Sequence, residues 1–249
     1  MSQLKVQIVE DEGVVALDIR RHLESFGYHV TGSYASGEEA IANFEEESPD
    51  LVLMDIRLQG QMDGIEAAQI IRDQFRVPVI ILTAYADEKT IERAKFIEPF
   101  GYIIKPFEER ELRTNIEMAL FRHKLETRLQ ESEERYRRFF QEDLSADFVA
   151  DAQGVLLACN RSFVEYFGFT SPEEVEGTRL DERFPDESHA ADFWRQLKRN
   201  KRLVLHELDL LRADGTKLNL LANVVADTDD DGRISEVKGY LIDISKRKN

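Results

Sequence analysis

A run of four apolar residues, LVLM at 51–54, leads directly into Asp55 and then into the turn-forming segment IRLQG. A strand that is apolar at every position is buried on both faces, because successive side chains point to opposite sides of a sheet. Such strands are typical of parallel sheets with helices on both sides. This run therefore favours an α/β domain, and it places a carboxylate at the carboxyl end of a buried strand.

Strand-like apolar runs alternate with helix-like periods through residues 1–107. The segments KVQIV (5–9), VPVIILT (77–83) and YIIK (102–105) join LVLM as predicted strands. The helical segments between them contain Val15, Ile19, Leu23 and Phe26, then a capping box of Ser36 and Glu39 before Ala40, Ile41 and Phe44, then GIEAAQIIRDQF (64–75) and DEKTIERAKF (87–96). With LVLM as the third strand and YIIK as the fifth, this order predicts a doubly wound, five-stranded parallel sheet, although no apolar run marks the second strand. The ligand site of such a sheet lies at the carboxyl ends of its strands.

Five side chains stand at these strand ends: Glu10, Asp11, Asp55, Thr83 and Lys105. In a parallel sheet the ends meet at one edge, so we expect these side chains to lie together. Three ionised carboxylates repel one another unless a cation lies among them, and Mg²⁺ is the simplest oxygen-ligated cation for that place. A carboxylate beside Mg²⁺, an ammonium and a hydroxyl is suited to accept a phosphoryl group, because these groups stabilise charge on its oxygens.

The motifs IVEDE, LMDIRLQGQMDGIEAA, VIILTAY and GYIIKPF follow one another in this order. Together they resemble the motifs of the receiver domain of two-component response regulators, over residues 4 to about 121. The resemblance implies that Asp55 is the phosphoacceptor. It also implies that Mg²⁺ is held by Glu10, Asp11, Asp55 and the backbone carbonyl of Arg57.

The same resemblance implies roles at the neighbouring strands. Thr83 and Lys105 would contact the phosphoryl group, and Tyr102 would be the switch aromatic that turns inward with Thr83. The peptide bond between Lys105 and Pro106 would be cis, which the small energy difference between the isomers of an X-Pro bond permits.

The resemblance also concerns the loop after Asp55 and two residues near the predicted site. The loop LQGQMDG is one residue longer than the commonest loop of the family, and Arg57 and Tyr85 stand where the family tunes the lifetime of the phosphoryl group. An aspartate-nucleophile phosphatase would want an acid two residues after the nucleophile to protonate its leaving group. Arg57 occupies that position, so the residues argue against a turnover enzyme.

Residues 108–140 are densely charged and contain no glycine or proline, which predicts a long helix. Its first part would pack on the sheet through Leu112, Ile116, Ala119 and Leu120. Further along, Leu125, Leu129, Ser132, Tyr136 and Phe139 follow at coiled-coil-like spacing. A solvated single helix remains the alternative. We therefore expect a receiver domain at 1–121, a helical linker at 122–140 and a second domain at 141–249.

The second domain has strands and helices in separate runs, which predicts an α+β domain with an antiparallel sheet. The segments NRSFVEYFGFTSPEEVEG, LLRADGTKL and DIS (243–245) resemble a PAS sensor domain, from about residue 133 to 245. Ser171, Pro172 and Glu174 predict a capping box, and His206 would share a strand face with Val204, Leu208 and Leu210. We expect no PAS cofactor, because Cys159, His189 and His206 each fit a structural place better than a ligand role.

The charge and the cysteine content of the chain exclude several classes of binding partner and cellular setting. The formal net charge of −16 argues against binding a nucleic-acid backbone or an anionic membrane. One cysteine excludes an intrachain disulfide and fits a reducing compartment, and the apolar runs are too short to cross a bilayer. We therefore expect a cytoplasmic protein without nucleic-acid or membrane partners.

The leading hypothesis is a response regulator in which a histidine kinase or phosphotransfer protein supplies the phosphoryl group. The helical linker would relay the change to the PAS domain, which would control self-association, as a homodimer through linker and PAS domain, or partner binding. A phosphorylation-independent scaffold and the N-terminal part of a hybrid sensor histidine kinase remain the alternatives. His123 lies on the linker helix, and we expect it to be a helix-surface residue.

Overall fold

A computed structural model describes residues 3–84 and 99–245. The chain divides into two compact units, Met1–Gln130 and Glu131–Asn249. The expected helix at 87–96 and Tyr85 lie outside the described residues. No helix in the described ranges is both long enough and apolar enough to cross a membrane.

The first unit is built on a five-stranded parallel sheet in the order β2-β1-β3-β4-β5. The strands are β1 (Lys5–Val9), β2 (His29–Tyr34), β3 (Leu51–Asp55), β4 (Val79–Thr83) and β5 (Gly101–Ile104). The predicted doubly wound sheet is therefore confirmed. The strands β3 and β4 lie in the middle of the sheet and are buried along their whole length, which explains their unbroken apolar runs.

Helices cover both faces of this sheet. They are α1 (Gly13–Ser25), α2 (Gly37–Ala42), α3 (Phe44–Glu47) and α4 (Gly64–Phe75). Alternate residues of β3 point into two separate cores: Leu51 and Leu53 towards α1, and Val52 and Met54 towards the other three helices. The single helix expected after Ser36 is wrong, because the backbone leaves helical geometry at Asn43 (φ −98°, ψ 1°) and Phe44 begins a short helix of its own.

A long helix, α5 (Glu109–Glu142), follows the sheet, as predicted. Its buried residues are Leu112, Ile116 and Ala119, which pack on the same core as α1. The helix then continues with large apolar side chains exposed to solvent, among them Leu125, Leu129, Tyr136 and Phe139. Only the first third of the helix is therefore held by the first core.

The second unit contains a five-stranded antiparallel sheet in the order β7-β6-β10-β9-β8. The strands are β6 (Ala146–Asp151), β7 (Leu156–Cys159), β8 (Arg202–Leu211), β9 (Lys217–Thr228) and β10 (Ile234–Asp243). Two helices, α6 (Arg161–Phe167) and α7 (Glu187–Asn200), pack on one face through phenylalanines that include Phe163, Phe167 and Phe193. The predicted α+β fold is confirmed.

Two local predictions in this unit are wrong. Pro172–Glu174 is a single 3₁₀ turn in which Ser171 makes no side-chain cap, and the Glu174 carboxylate accepts instead from the backbone N–H of Thr170, at 2.9 Å. In β8 the pairing with β9 shifts register between Leu203 and His206, so Val204 is exposed and does not share a face with Leu210, which is buried. A bulge adds a residue that strict alternation does not anticipate.

Candidate functional site

The parallel sheet brings the expected strand-end residues to one edge. Glu10 and Asp11 follow β1, Asp55 is the last residue of β3, Thr83 ends β4, and Lys105 follows β5. Since β1, β3, β4 and β5 are consecutive neighbours in the sheet, these ends lie side by side. Glu10, Asp55 and Thr83 are 3%, 5% and 8% exposed, and burial this deep is unusual for carboxylates such as the first two.

Lys105 connects two of the three acids. Its ammonium nitrogen lies 3.1 Å from Oδ2 of Asp55 and donates a hydrogen bond to the Glu10 carboxylate. The acidic ligand atoms of Glu10, Asp11 and Asp55 all lie within 4.8 Å of one another. The cluster thus contains three carboxyl groups but only one ammonium in contact with them among the described residues.

The Asp55 carboxyl is held on both of its oxygens. Oδ1 accepts a hydrogen bond from the backbone N–H of Ile56, at 2.9 Å, and Oδ2 faces Lys105. Glu10 is fixed in a similar way, because its carboxylate accepts from the N–H of Glu12, at 3.2 Å, and its own N–H donates to the carbonyl of Tyr34, at 2.8 Å. Both acids are therefore oriented before any ligand arrives.

Burial dominates the electrostatics of this cluster. It raises the pKa of the Asp55 carboxyl above its usual range, and the Lys105 ammonium opposes that shift. Burial likewise raises the pKa of Glu10, against the hydrogen bond from Lys105 and with the help of the Asp55 charge. For Lys105, burial lowers the pKa, but the two carboxylates outweigh it and the net shift is upward. One ammonium therefore leaves the two buried carboxylates under-compensated.

The donor set fits a hard divalent cation. Carboxylate oxygens are the ligands that Mg²⁺ takes in proteins, and a dication placed among Glu10, Asp11 and Asp55 would offset their remaining negative charge. Among residues 3–84 and 99–245, this is the one group of three or more acidic, histidine or cysteine side chains close enough to share a metal ion. Arg57 follows in the loop after Asp55, where its backbone carbonyl was expected to complete the set.

The remaining predicted residues lie on β4 and β5. The backbone N–H of Lys105 donates to the carbonyl of Thr83, at 2.7 Å, which ties the two strand ends together. Tyr102 pairs with Ile81 across the strands, and its side chain is 37% exposed, so it is turned outward. The peptide bond between Lys105 and Pro106 is cis, as the resemblance implied.

The sequence did not single out Gly64, which the structure places against the phosphoacceptor candidate. A Cβ atom at Gly64 would lie 1.8 Å from the backbone oxygen of Asp55. Gly64 is the first residue of α4, after an Asp63 N-cap that closes a capping box with Glu66. The capping sequence marks the helix start, but the close approach depends on how the helix packs under β3.

The second unit has no comparable cluster among its described residues. A cleft of about 430 Å³ between α7 and β8 is lined partly by His189, Asp192, His206 and Glu207, yet these groups do not approach one another closely enough to share a metal ion. Asp186 caps α7 by accepting from the backbone N–H of His189, at 3.0 Å, and the ring Nδ1 of His189 lies 2.8 Å from the same carboxylate oxygen. Cys159 is buried, and burial raises the pKa of its thiol to about 11.

Comparison with known families assigns one family to each of the two compact units of the chain. Residues 6–117 match the family described as the response regulator receiver domain, and residues 145–246 match the PAS domain family. The chain carries a response regulator receiver domain followed by a PAS domain. The cluster at Glu10, Asp11 and Asp55 lies in the receiver domain.

Individual relatives match about half of the chain. The transcriptional regulatory protein PdtaR of Mycobacterium tuberculosis is 35% identical over 126 residues, which are 51% of this chain and 61% of the relative. This chain thus spans 61% of the length of that curated relative. The signal receiver domain of a modulated diguanylate cyclase from Desulfovibrio desulfuricans G20 is 41% identical, with a TM-score of 0.49 over 50% of this chain and 99% of that domain.

A third relative is similar over the same share of the chain. It is the N-terminal domain of a response regulator/sensory box/GGDEF 3-domain protein from Carboxydothermus hydrogenoformans. The two are 35% identical, with a TM-score of 0.46, over 49% of this chain and 98% of that domain.

Proposed function

We propose that the receiver domain accepts a phosphoryl group on Asp55 from a histidine kinase or a phosphotransfer protein, with Mg²⁺ bound at Glu10, Asp11, Asp55 and the carbonyl of Arg57. The observation that carries this proposal is the buried Asp55 carboxyl, with Lys105 3.1 Å from one oxygen and two further acids within metal-sharing distance. A carboxyl that only capped a turn would need neither the Lys105 ammonium nor the two further acids beside it.

The proposed step is a displacement at phosphorus. Oδ2 of Asp55 attacks the phosphorus of a phosphohistidine, the new O–P bond forms, and the P–N bond breaks with its electron pair going to the imidazole nitrogen. Bound Mg²⁺ would supply charge neutralisation to the transferring phosphoryl oxygens. Lys105 stabilises the same oxygens electrostatically, and Thr83 stands at the neighbouring strand end.

The product is an acyl phosphate on the protein itself, so we propose a signalling acceptor and not a turnover enzyme. Arg57 supports this assignment, because the position two residues after Asp55 lacks the acid that a phosphatase of this type would use. The long helix α5 would relay the phosphorylation state to the PAS domain, which would control self-association or partner binding. The single cysteine fits a reducing, cytoplasmic setting.

The test is incubation of the full chain with a small acyl phosphate donor and Mg²⁺, followed by intact-mass measurement. We expect wild type to gain the mass of one phosphoryl group and Asp55→Ala to gain none. Asp73→Ala, which removes an exposed carboxyl of α4, is the matched control and should behave as wild type. Equal labelling of wild type and Asp55→Ala would contradict the proposal.

A phosphorylation-independent scaffold is the second candidate, and the exposed apolar residues of α5 favour it. Such a protein would show no mass gain on Asp55 and would bind its partners equally well with and without the donor. The same experiment therefore separates the two functions.

A further inference from the structure

The loop between β3 and α4, residues 56–63, connects the phosphoacceptor candidate to the next helix. It carries Arg57, and its stem is closed by a hydrogen bond from the N–H of Gly64 to the carbonyl of Ile56, at 2.9 Å. The far part of the loop makes no regular secondary structure of its own. Its conformation must therefore be set by contacts with other parts of the fold.

One side chain of α2 supplies two of these contacts. The Oε1 atom of Glu38 accepts hydrogen bonds from the backbone N–H groups of Gln61, at 2.9 Å, and Met62, at 3.0 Å. Hydrogen bonds from its own N–H and from Gln61 and Met62 hold the pKa of the Glu38 carboxyl below its usual value. The group is thus an ionised acceptor for two adjacent amides that would otherwise face solvent.

The preceding residues of the loop fit against the same carboxylate. Gly60 has φ +105°, and a Cβ atom there would lie 2.5 Å from Oε2 of Glu38, so the carboxylate rests on the bare Cα. The N–H of Gln59 donates to the carbonyl of Ala35, at 2.9 Å. Successive residues 59–62 are therefore tied to the segment 35–38 that precedes and begins α2.

We propose that Glu38 is a positioning residue for the phosphoacceptor site, acting by fixing the loop that carries Arg57. The inference rests on the proposed function, in which the carbonyl of Arg57 is a metal ligand. A loop that is already held in place loses little conformational entropy when the cation binds, so the site binds Mg²⁺ more tightly than a site with a mobile loop would. The anchored loop thus links α2, which touches no reacting atom, to the metal site.

The experiment compares wild type, Glu38→Ala, Glu38→Gln and Glu45→Ala as full chains. Glu45 is an exposed acid of the neighbouring α3, so its removal changes the net charge equally without touching the loop. Amide hydrogen exchange of residues 57–62 reports the anchoring, titration with Mg²⁺ alone reports the site, and the rate of Asp55 labelling by the acyl phosphate donor reports the function.

We expect Glu38→Ala to expose the amides of Gln61 and Met62 to exchange and to raise the Mg²⁺ dissociation constant roughly three- to tenfold, the size expected for losing two partly solvated charge-assisted hydrogen bonds. Glu38→Gln keeps an acceptor at the same reach and should lie between Glu38→Ala and wild type. That order separates anchoring from a simple loss of charge, because both variants lose the same charge. Glu45→Ala should match wild type in all three measurements.

The inference would be overturned if Glu38→Ala bound Mg²⁺ as tightly as wild type does, or if amide hydrogen exchange at residues 61–62 were the same in both. It would also be overturned if Glu45→Ala had an effect as large as that of Glu38→Ala. A wild-type chain that binds Mg²⁺ but is not labelled on Asp55 would instead contradict the proposed function, while exchange and Mg²⁺ affinity still decide the role of Glu38. If Glu38→Ala binds Mg²⁺ more weakly and is phosphorylated on Asp55 more slowly, the result supports both the role of Glu38 and the proposed function.

Discussion

Asp55 and Asp147 are both buried carboxyl groups, yet among the residues that the structure describes an ammonium lies beside Asp55 and no cationic side chain is paired with Asp147. Asp147, in the PAS domain, is 3% exposed, and its side chain is hydrogen-bonded to the hydroxyl of Ser145. The same hydroxyl also lies 2.8 Å from Asp143, although it has only one proton to donate. Burial, together with the charge of Asp143, raises the pKa of Asp147 to about 6.

This shift predicts that Asp147→Asn stabilises the PAS domain at neutral pH. The folded-state pKa lies above the ordinary value of 3.8, so the folded protein binds the proton more tightly than the unfolded chain does. The cost of ionising Asp147 is therefore fully present above about pH 6 and disappears as the pH falls towards 4. We expect the variant to gain about 1–3 kcal/mol in the free energy of unfolding at pH 7.5.

The measurement is urea unfolding of the full chain, followed through the fluorescence of Trp194, between pH 7.5 and pH 4.5. The advantage of Asp147→Asn over wild type should shrink steadily across that range. Asp230→Asn, in the exposed turn between β9 and β10, is the matched control and should show no such trend. An advantage that is independent of pH would show that the amide helps for another reason.

For single residues, the sequence predicted which side chains meet at the strand ends, but it did not predict contacts between residues that are far apart in the chain and outside the strand ends. Glu10, Asp55, Thr83 and Lys105 could be placed together because a parallel sheet aligns the ends of its strands. Glu38 could not be connected to Gln61, because the two are 23 residues apart and no periodicity relates them.

At the scale of the elements, the buried central strands were predictable, and of the two edge strands β5 was predicted but β2 was not. The strands β3 and β4 are apolar throughout because both faces are covered, whereas β2 (HVTGSY) is an edge strand with one buried residue and contains a glycine. The break between α2 and α3 was also missed. Capping at Ser36 marks where the helix begins, but no residue near Asn43 signals an interruption.

The start of α4 gives a prediction that depends on packing alone. A methyl group at Gly64 would meet the backbone oxygen of Asp55 at 1.8 Å, and neither backbone can retreat without moving the helix or the strand end. We expect Gly64→Ala to lower the free energy of unfolding of the receiver domain by about 2–3 kcal/mol, the upper range for overpacking. The unfolding transition of the receiver domain in calorimetry measures this.

Gly13→Ala is the control for that substitution. Gly13 is likewise the first residue of a helix, α1, and a Cβ atom there would meet nothing within 4 Å. Alanine is favoured over glycine in helices, so this variant should be as stable as wild type or gain up to about 1 kcal/mol. If both glycines responded alike, the contact with Asp55 would not be the cause.

At the scale of the whole molecule, the two fold classes and the long helix between them were predictable because their patterns differ so clearly. An unbroken charged segment without glycine or proline predicted α5, and the structure has it at Glu109–Glu142. The boundaries 1–121, 122–140 and 141–249 remain a proposal. The compact units meet at residues 130 and 131, within the helix, where no change of composition marks a boundary.

The last prediction concerns self-association through α5. Beyond the residues that pack on the receiver core, Leu125, Leu129, Tyr136 and Phe139 are 48%, 62%, 68% and 74% exposed. With Ser132 they follow at spacings of four, three, four and three, so they lie on one stripe of the helix, as in a coiled coil. A second copy of the same helix would cover this stripe, because its pattern is self-complementary.

We therefore expect the chain, 28.8 kDa as a monomer, to sediment with about twice that mass at micromolar concentration. The double variant Leu129→Glu, Phe139→Glu should sediment as a monomer, since it places like charges along the seam. Arg138→Glu makes the same change in net charge at an exposed position off the stripe and should leave the dimer intact. A monomeric wild type, or dissociation in Arg138→Glu as well, would show that this stripe does not hold the copies together.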